Sequence, residues 1–183
     1  MKSIKYIFPL MLLVLGCKSN YLLTKKIELD SKTDQYVSEK LLTKEVGNYE
    51  VSASITFNES YRNKKTGWAG FFLKTTLDNG LYGKDSGYLF FIRENGEIGI
   101  SSHYYKLPNK EIESSKRLLS LEQGKKIVVK IISIDNELTI YVNGEEHFNI
   151  PDLKLKGNYI SANCGGTDVS IKIKSFKDID NRM

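Results

Sequence analysis

Four chemistries are open to the residue types of this chain: cleavage by paired carboxylates, thiol chemistry, metal binding through imidazole or loop oxygens, and stacking on aromatic rings. Its 183 residues include two cysteines, Cys17 and Cys164, and two histidines, His103 and His147. A nucleophilic cysteine needs a neighbouring base. Cys164 ends the apolar-flanked stretch Tyr159-Ile160-Ser161-Ala162-Asn163-Cys164, which predicts a small buried hydrophobe instead. His103, beside Tyr104-Tyr105, and His147 stand alone, without the spacing of metal ligands. Asp78, Asn79 and Asp85 in the loop 77–87 carry oxygens that calcium accepts, but Asp, Asn and Gly are also ordinary turn formers, and turn formation is the expected role. No cofactor is expected. The aromatic residues are more promising. Tyr61, Trp68, Tyr82, Tyr104 and Tyr105 fall at predicted strand ends or loops, where a ring can stack on the apolar face of a sugar, and Arg93 can supply a forked donor for hydroxyls. Each has a packing alternative; Trp68, in the series Trp68, Gly70, Phe72, also fits a core.

These side chains need elements to hold them, and the elements read as strands. Short β-branched and aromatic runs are separated by Gly, Asn and Asp at the spacing of an all-β sandwich or barrel. Residues 49–57 place Tyr49, Val51, Ala53, Ile55 and Phe57 on one face, the mark of a half-buried strand. Residues 67–76 and 87–93 are apolar on both faces and predict central strands covered on both sides. Asn95-Gly96 supplies positive φ for a hairpin. Residues 125–134 and 137–143 pair through Asp135-Asn136, with Leu138, Ile140 and Val142 inward. Asn143-Gly144 turns the chain back towards Pro151, which cannot continue a central strand. A last strand covers 168–176. Residues 108–122 lack strand character, and Lys110–Leu119 is expected to hold a helical turn.

Composition bounds the rest. Glycine at 14, proline at 3, and 11 Tyr, 8 Phe and 1 Trp exclude collagen-like and disordered chains. Beyond residue 16 the chain has 25 basic and 22 acidic residues. So small and scattered an excess is not the footprint of a nucleic-acid binder. The start, Met1-Lys2-Ser3-Ile4-Lys5, precedes an apolar run from Tyr6 to Leu15, too short to span a bilayer. Val14-Leu15-Gly16-Cys17 resembles the lipobox of bacterial lipoproteins. That resemblance implies a signal peptide over 1–16, acylation of Cys17 and stable membrane anchoring through several acyl chains. It also implies export to the bacterial envelope, at the outer membrane or cell surface. Cys164 then has no intrachain disulfide partner. The expected organisation is an acylated leash over 17–35, polar enough to hold also a first strand, and a β-sandwich over 36–179.

The order Leu42-Thr43-Lys44-Glu45, Tyr49-Glu50-Val51, Gly67-Trp68-Ala69-Gly70-Phe71-Phe72-Leu73, Gly87-Tyr88-Leu89-Phe90-Phe91-Ile92-Arg93 and Leu138-Thr139-Ile140-Tyr141-Val142-Asn143-Gly144-Glu145 resembles the concanavalin A-like jelly-roll superfamily. Within it the pattern is similar to laminin-G-like and fructan-type carbohydrate-binding modules and to the domain of 3-keto-glycoside hydrolases. The resemblance implies an antiparallel two-sheet jelly roll over about residues 36–179. Hydrolytic relatives of the family 16 type carry Glu-x-Asp-x-x-Glu on one strand. Here Glu28-Leu29-Asp30 lacks the last glutamate, Glu94-Asn95-Gly96-Glu97 falls on a turn, and 87–93 holds no acid. The expected function is therefore non-catalytic carbohydrate binding through Trp68, Arg93, Tyr61, Tyr82, Tyr104 and Tyr105. A glycoside-processing enzyme and a structural or protein-binding envelope component are the alternatives.

Overall fold

A computed structural model describes residues 25–31, 36–41, 46–60, 66–76, 85–106, 110–115 and 124–179. Twelve strands follow in order: β1 (Lys25–Asp30), β2 (Tyr36–Lys40), β3 (Tyr49–Ser60), β4 (Trp68–Thr75), β5 (Gly87–Arg93), β6 (Ile98–His103), β7 (Lys110–Ser115), β8 (Lys126–Ile134), β9 (Glu137–Val142), β10 (Glu145–Ile150), β11 (Tyr159–Gly165) and β12 (Thr167–Asp178). They form two six-stranded antiparallel sheets, ordered β1-β12-β3-β8-β9-β10 and β2-β11-β4-β5-β6-β7, called here the β3 sheet and the β5 sheet.

Strict alternation builds the β3 sheet. The inward set predicted for residues 49–57 is wholly buried, and it packs with Ile127, Val129 and Ile131 of β8 and Leu138, Ile140 and Val142 of β9. In β12 an extra residue between Ile173 and Ser175 resets the phase, so that Phe176 turns inward and stacks on Tyr49 at 5.8 Å between centroids. The β5 sheet closes the core from the other side with Phe71, Tyr88, Phe90 and Ile92. Phe90 meets Phe148 of β10 edge to face at 6.4 Å, a contact that ties one sheet to the other.

The turns follow their chemistry with one difference. Asn143 (φ 52°) and Gly144 (φ 89°) make the two-residue loop expected there, closed by the Val142–Glu145 pair. At the other hairpin only Gly96 is left-handed (φ 87°); Gly96 N–H donates to Arg93 O and Arg93 N–H to Glu97 O, each at 2.8 Å. The loop is therefore three residues long, Glu94 to Gly96, with the glycine in the αL place of a bulge.

One segment differs from expectation. The helical turn expected in Lys110–Leu119 is a strand at its start: β7 pairs antiparallel with β6, Ile98 opposite Ser115. An available sheet edge overrides the weak local preference of Lys-Glu-Ile-Glu-Ser-Ser. β1 is a first strand of the kind expected within 17–35; it pairs with β12 along its whole length and buries Ile27 and Leu29. The sandwich thus includes Lys25–Asp30.

Candidate functional site

The outward face of the β5 sheet is apolar where the outward face of the β3 sheet is not. Since Ala69, Phe71 and Leu73 of β4 and Tyr88, Phe90 and Ile92 of β5 point into the core, their neighbours point out. Cross-strand register sets Trp68 opposite Arg93, Gly70 opposite Phe91 and Phe72 opposite Leu89. Phe72, Leu89 and Phe91 form a second hydrophobic cluster, apart from the core, with half-buried Trp68 against it. The covering predicted for both sides of β4 and β5 is thus present, since none of these three is more than 8% exposed.

Glycines make room for the rings. A Cβ at Gly165 would lie 2.7 Å from Trp68 Nε1, and one at Gly99 would lie 2.3 Å from Phe91 Cζ. Trp68 therefore lies down over β11 and Phe91 over β6, each on a strand neighbour that lacks a side chain. A tryptophan held this way keeps little rotational freedom.

Beside Trp68, the three-residue loop fixes a charged pair. Arg93 Nη1 donates to Glu97 Oε2 at 2.6 Å, and the guanidinium sits 5.1 Å above the Phe91 ring centroid. Glu97 N–H donates to Asn95 Oδ1 at 3.0 Å, which holds the far arm of the loop. The side chains of Arg93 and Glu97 are 41% and 27% exposed, so both reach solvent. Ring, forked donor and carboxylate acceptor thus meet at one end of β4 and β5. The sequence singled out Trp68 and Arg93; it missed Glu97, because only the loop length shows that Glu97 returns beside Arg93.

The remaining candidates are not all there. His103, opposite Gly87, ends the other extreme of the sheet face, six residues or about 20 Å along β5 from Arg93. Half-buried Tyr104 and 51%-exposed Tyr105 follow it, with Tyr105 N–H donating to Ser86 Oγ at 2.9 Å and Lys106 Nζ 5.1 Å over the Tyr105 ring. The expected binding set is therefore split into two loci. Tyr61, Tyr82, Cys17, Asp78 and Asn79 lie outside the described residues.

Other chemistry finds little support among the described residues. Asp85 is buried, accepting from Thr76 Oγ1 at 2.5 Å and from Ser86 N–H at 2.6 Å. Among the described residues no group of three His, Cys, Asp or Glu could hold a metal ion. Cys164 lies in the core; burial, then the charges of Asp30 and Asp168, push its thiol up to about 12. A thiol so hard to ionise packs as a small hydrophobe. His103 is likewise buried, edge-on to Phe72 at 5.9 Å. Of the turn carboxylates, Glu97 is bound to Arg93, and Glu94 lies against Gly67, where a Cβ would come within 2.6 Å of its Oε1.

No family model matches the chain, and no curated protein matches it. Solved structures do. The carbohydrate-binding module CBM66 from Bacillus subtilis superposes with a TM-score of 0.61 at 12% identity, over 85% of this chain and 91% of that one. The beta-fructofuranosidase of Aspergillus kawachii gives 0.58 at 13% identity, over 87% of this chain but only 28% of the enzyme. The carbohydrate recognition domain of Emp46p gives 0.52 at 15%, over 79% and 78%. At such identities the likeness is one of architecture. Two antiparallel sheets in this arrangement, shared with those structures, give the chain the concanavalin A-like jelly-roll fold.

Proposed function

We propose that the chain is a lipid-anchored, exported protein that binds a poly- or oligosaccharide without cleaving it, at the end of the β5 sheet marked by Trp68. The observation that carries this reading is the cross-strand pair of Trp68 and Arg93 on an outward sheet face, with Glu97 beside it. A flattened indole offers the apolar face that a sugar ring stacks on, and the charged pair offers donors and acceptors for its hydroxyls. The carbohydrate-binding module and the carbohydrate recognition domain of like architecture support the reading without locating the site. Tyr104 and Tyr105, about 20 Å away, serve as a second contact for a long ligand.

Cleavage would ask for an acid and a nucleophile or base facing one bond across an open cleft. Glu97 is occupied by Arg93, and Glu94 is packed against Gly67. Glycosidases of like architecture keep an enzyme as the second reading. Turnover of any glycoside that vanishes in Glu94→Gln or Glu97→Gln would establish it.

The anchor rests on Val14-Leu15-Gly16-Cys17. Cys17→Ser is expected to release the chain from membranes; retention after a high-salt wash, or no acyl mass on Cys17, would contradict it. The binding reading is tested on a glycan array with full-length chain in detergent. Trp68→Ala is expected to weaken binding several-fold to about tenfold without unfolding the domain. A broad panel giving neither heat nor a shift in melting temperature would overturn it.

A further inference from the structure

We infer that the Trp68 site selects uncharged sugars and discriminates against uronates and sulfated glycans, an inference that rests on the binding reading above. Arg93 alone would favour the opposite, because a guanidinium presents parallel N–H donors to a carboxylate or sulfate. In this chain the arginine does not act alone. Glu97 is 2.6 Å away, held there by the backbone bonds of the three-residue loop and by its own N–H on Asn95, so the pair is built into the hairpin. Phe91 underneath fixes the guanidinium from its apolar side.

The pair presents a donor beside an acceptor with no net charge. A guanidinium only donates and a carboxylate only accepts, whereas a hydroxyl does both. Two neighbouring hydroxyls of a neutral sugar satisfy both groups at once, one accepting from Arg93 and the other donating to Glu97. A uronate carboxylate has only acceptors to offer. It must either displace Glu97 from Arg93 or lie within reach of a like charge. Trp68 across the strand pair contributes stacking, which is indifferent to charge.

The test compares pairs of oligosaccharides that share a backbone and differ only in oxidation of C6, titrated calorimetrically into full-length chain in detergent. The neutral member is expected to bind about three- to fivefold tighter than its uronate, the size of an exposed charge interaction. Its affinity should stay level between low and physiological salt, since no net charge is screened. Glu97→Gln should abolish the preference or reverse it. Tighter binding of the uronate by the unaltered chain, weakening that follows ionic strength for the neutral sugar, or an unchanged ratio in folded Glu97→Gln would each overturn the inference while leaving carbohydrate binding intact. Binding of neither member of any pair would overturn the binding reading and the inference together.

Discussion

The two sheets share a core and differ on their outer faces. Across the outer face of the β3 sheet run Lys26, Glu28, Lys130, Glu50 and Lys177, laced into ion pairs: Lys26 with Glu28, and Glu50 with both Lys177 at 2.9 Å and Lys130 at 3.4 Å. Burial pushes the Glu50 carboxyl up, but the Lys177 hydrogen bond and the two lysine charges outweigh it and hold the group below its usual value. Glu28 is held down chiefly by Lys26 and then by the Ser170 hydroxyl. The corresponding face of the β5 sheet carries Phe72, Leu89, Phe91 and Trp68, with the Arg93–Glu97 pair in the loop at one end. The outer face of the β3 sheet is solvated, and Glu28 and Glu50 on it are paired with lysines. On the β5 sheet the apolar residues Phe72, Leu89 and Phe91 are themselves covered, and it is half-buried Trp68 and the charged pair at its end that reach solvent.

The largest effect should come from the shared core. Phe90→Ala removes a wholly buried ring from between the sheets and is expected to cost about 3–5 kcal/mol in urea unfolding. A cost under about 1 kcal/mol would mean that the sheets do not pack through β5. Next comes the alkaline limb of stability. An unfolded Cys164 thiol ionises near its ordinary 9.0, whereas the folded one is pushed up to about 12. Below pH 9 the two states bind the same proton. From 9 to 12 the folded state keeps it and the unfolded state loses it, so stability should fall by up to about 1.4 kcal/mol per pH unit. Tyr49, whose phenol burial also raises, adds to the loss above its ordinary value of 10.0. Cys164→Ala should flatten the slope by about one proton; an unchanged slope would deny the thiol its buried place.

A smaller effect separates the turns from the faces. Gly144→Val forces a β-branched residue to φ near 89° in open space and should cost about 1 kcal/mol, measured by thermal melting, without touching binding. Gly165→Ala does the reverse. Its Cβ meets the Trp68 indole at 2.7 Å, so the ring must lift, which should shift the emission of the single tryptophan and weaken sugar binding more than stability. The smallest effect is expected on the charged face, where Lys172→Ala should stay within about 0.5 kcal/mol and leave binding unaltered.

Alternation made the β3 sheet readable from its residues, because a half-buried strand writes its inward face into every second position. The two-sided apolar character of 67–76 and 87–93 likewise pointed to a second covered face, now seen in Phe72, Leu89 and Phe91. β7 was not readable, since Lys110–Ser115 takes strand geometry from the edge of β6 and not from its own propensities. Half of the site was legible in Trp68 and Arg93 as residue types. Their pairing across β4 and β5 is a matter of register, and Glu97 enters only through a loop one residue longer than Asn-Gly suggests. Tyr104 and Tyr105 share the aromatic character of Trp68 near strand ends, but the residue count along β5 puts them at the opposite end.

The contrast between the faces has one direct probe, because the only tryptophan of the chain stands at the proposed site. Full-length chain in detergent is titrated with a neutral oligosaccharide that binds by calorimetry, and the emission of Trp68 is followed. Binding at the end of the β5 sheet predicts a saturable spectral change with the calorimetric midpoint, shifted to weaker affinity by Arg93→Ala. Calorimetric binding that leaves Trp68 emission unchanged and is indifferent to Arg93→Ala would place the ligand elsewhere and contradict the account.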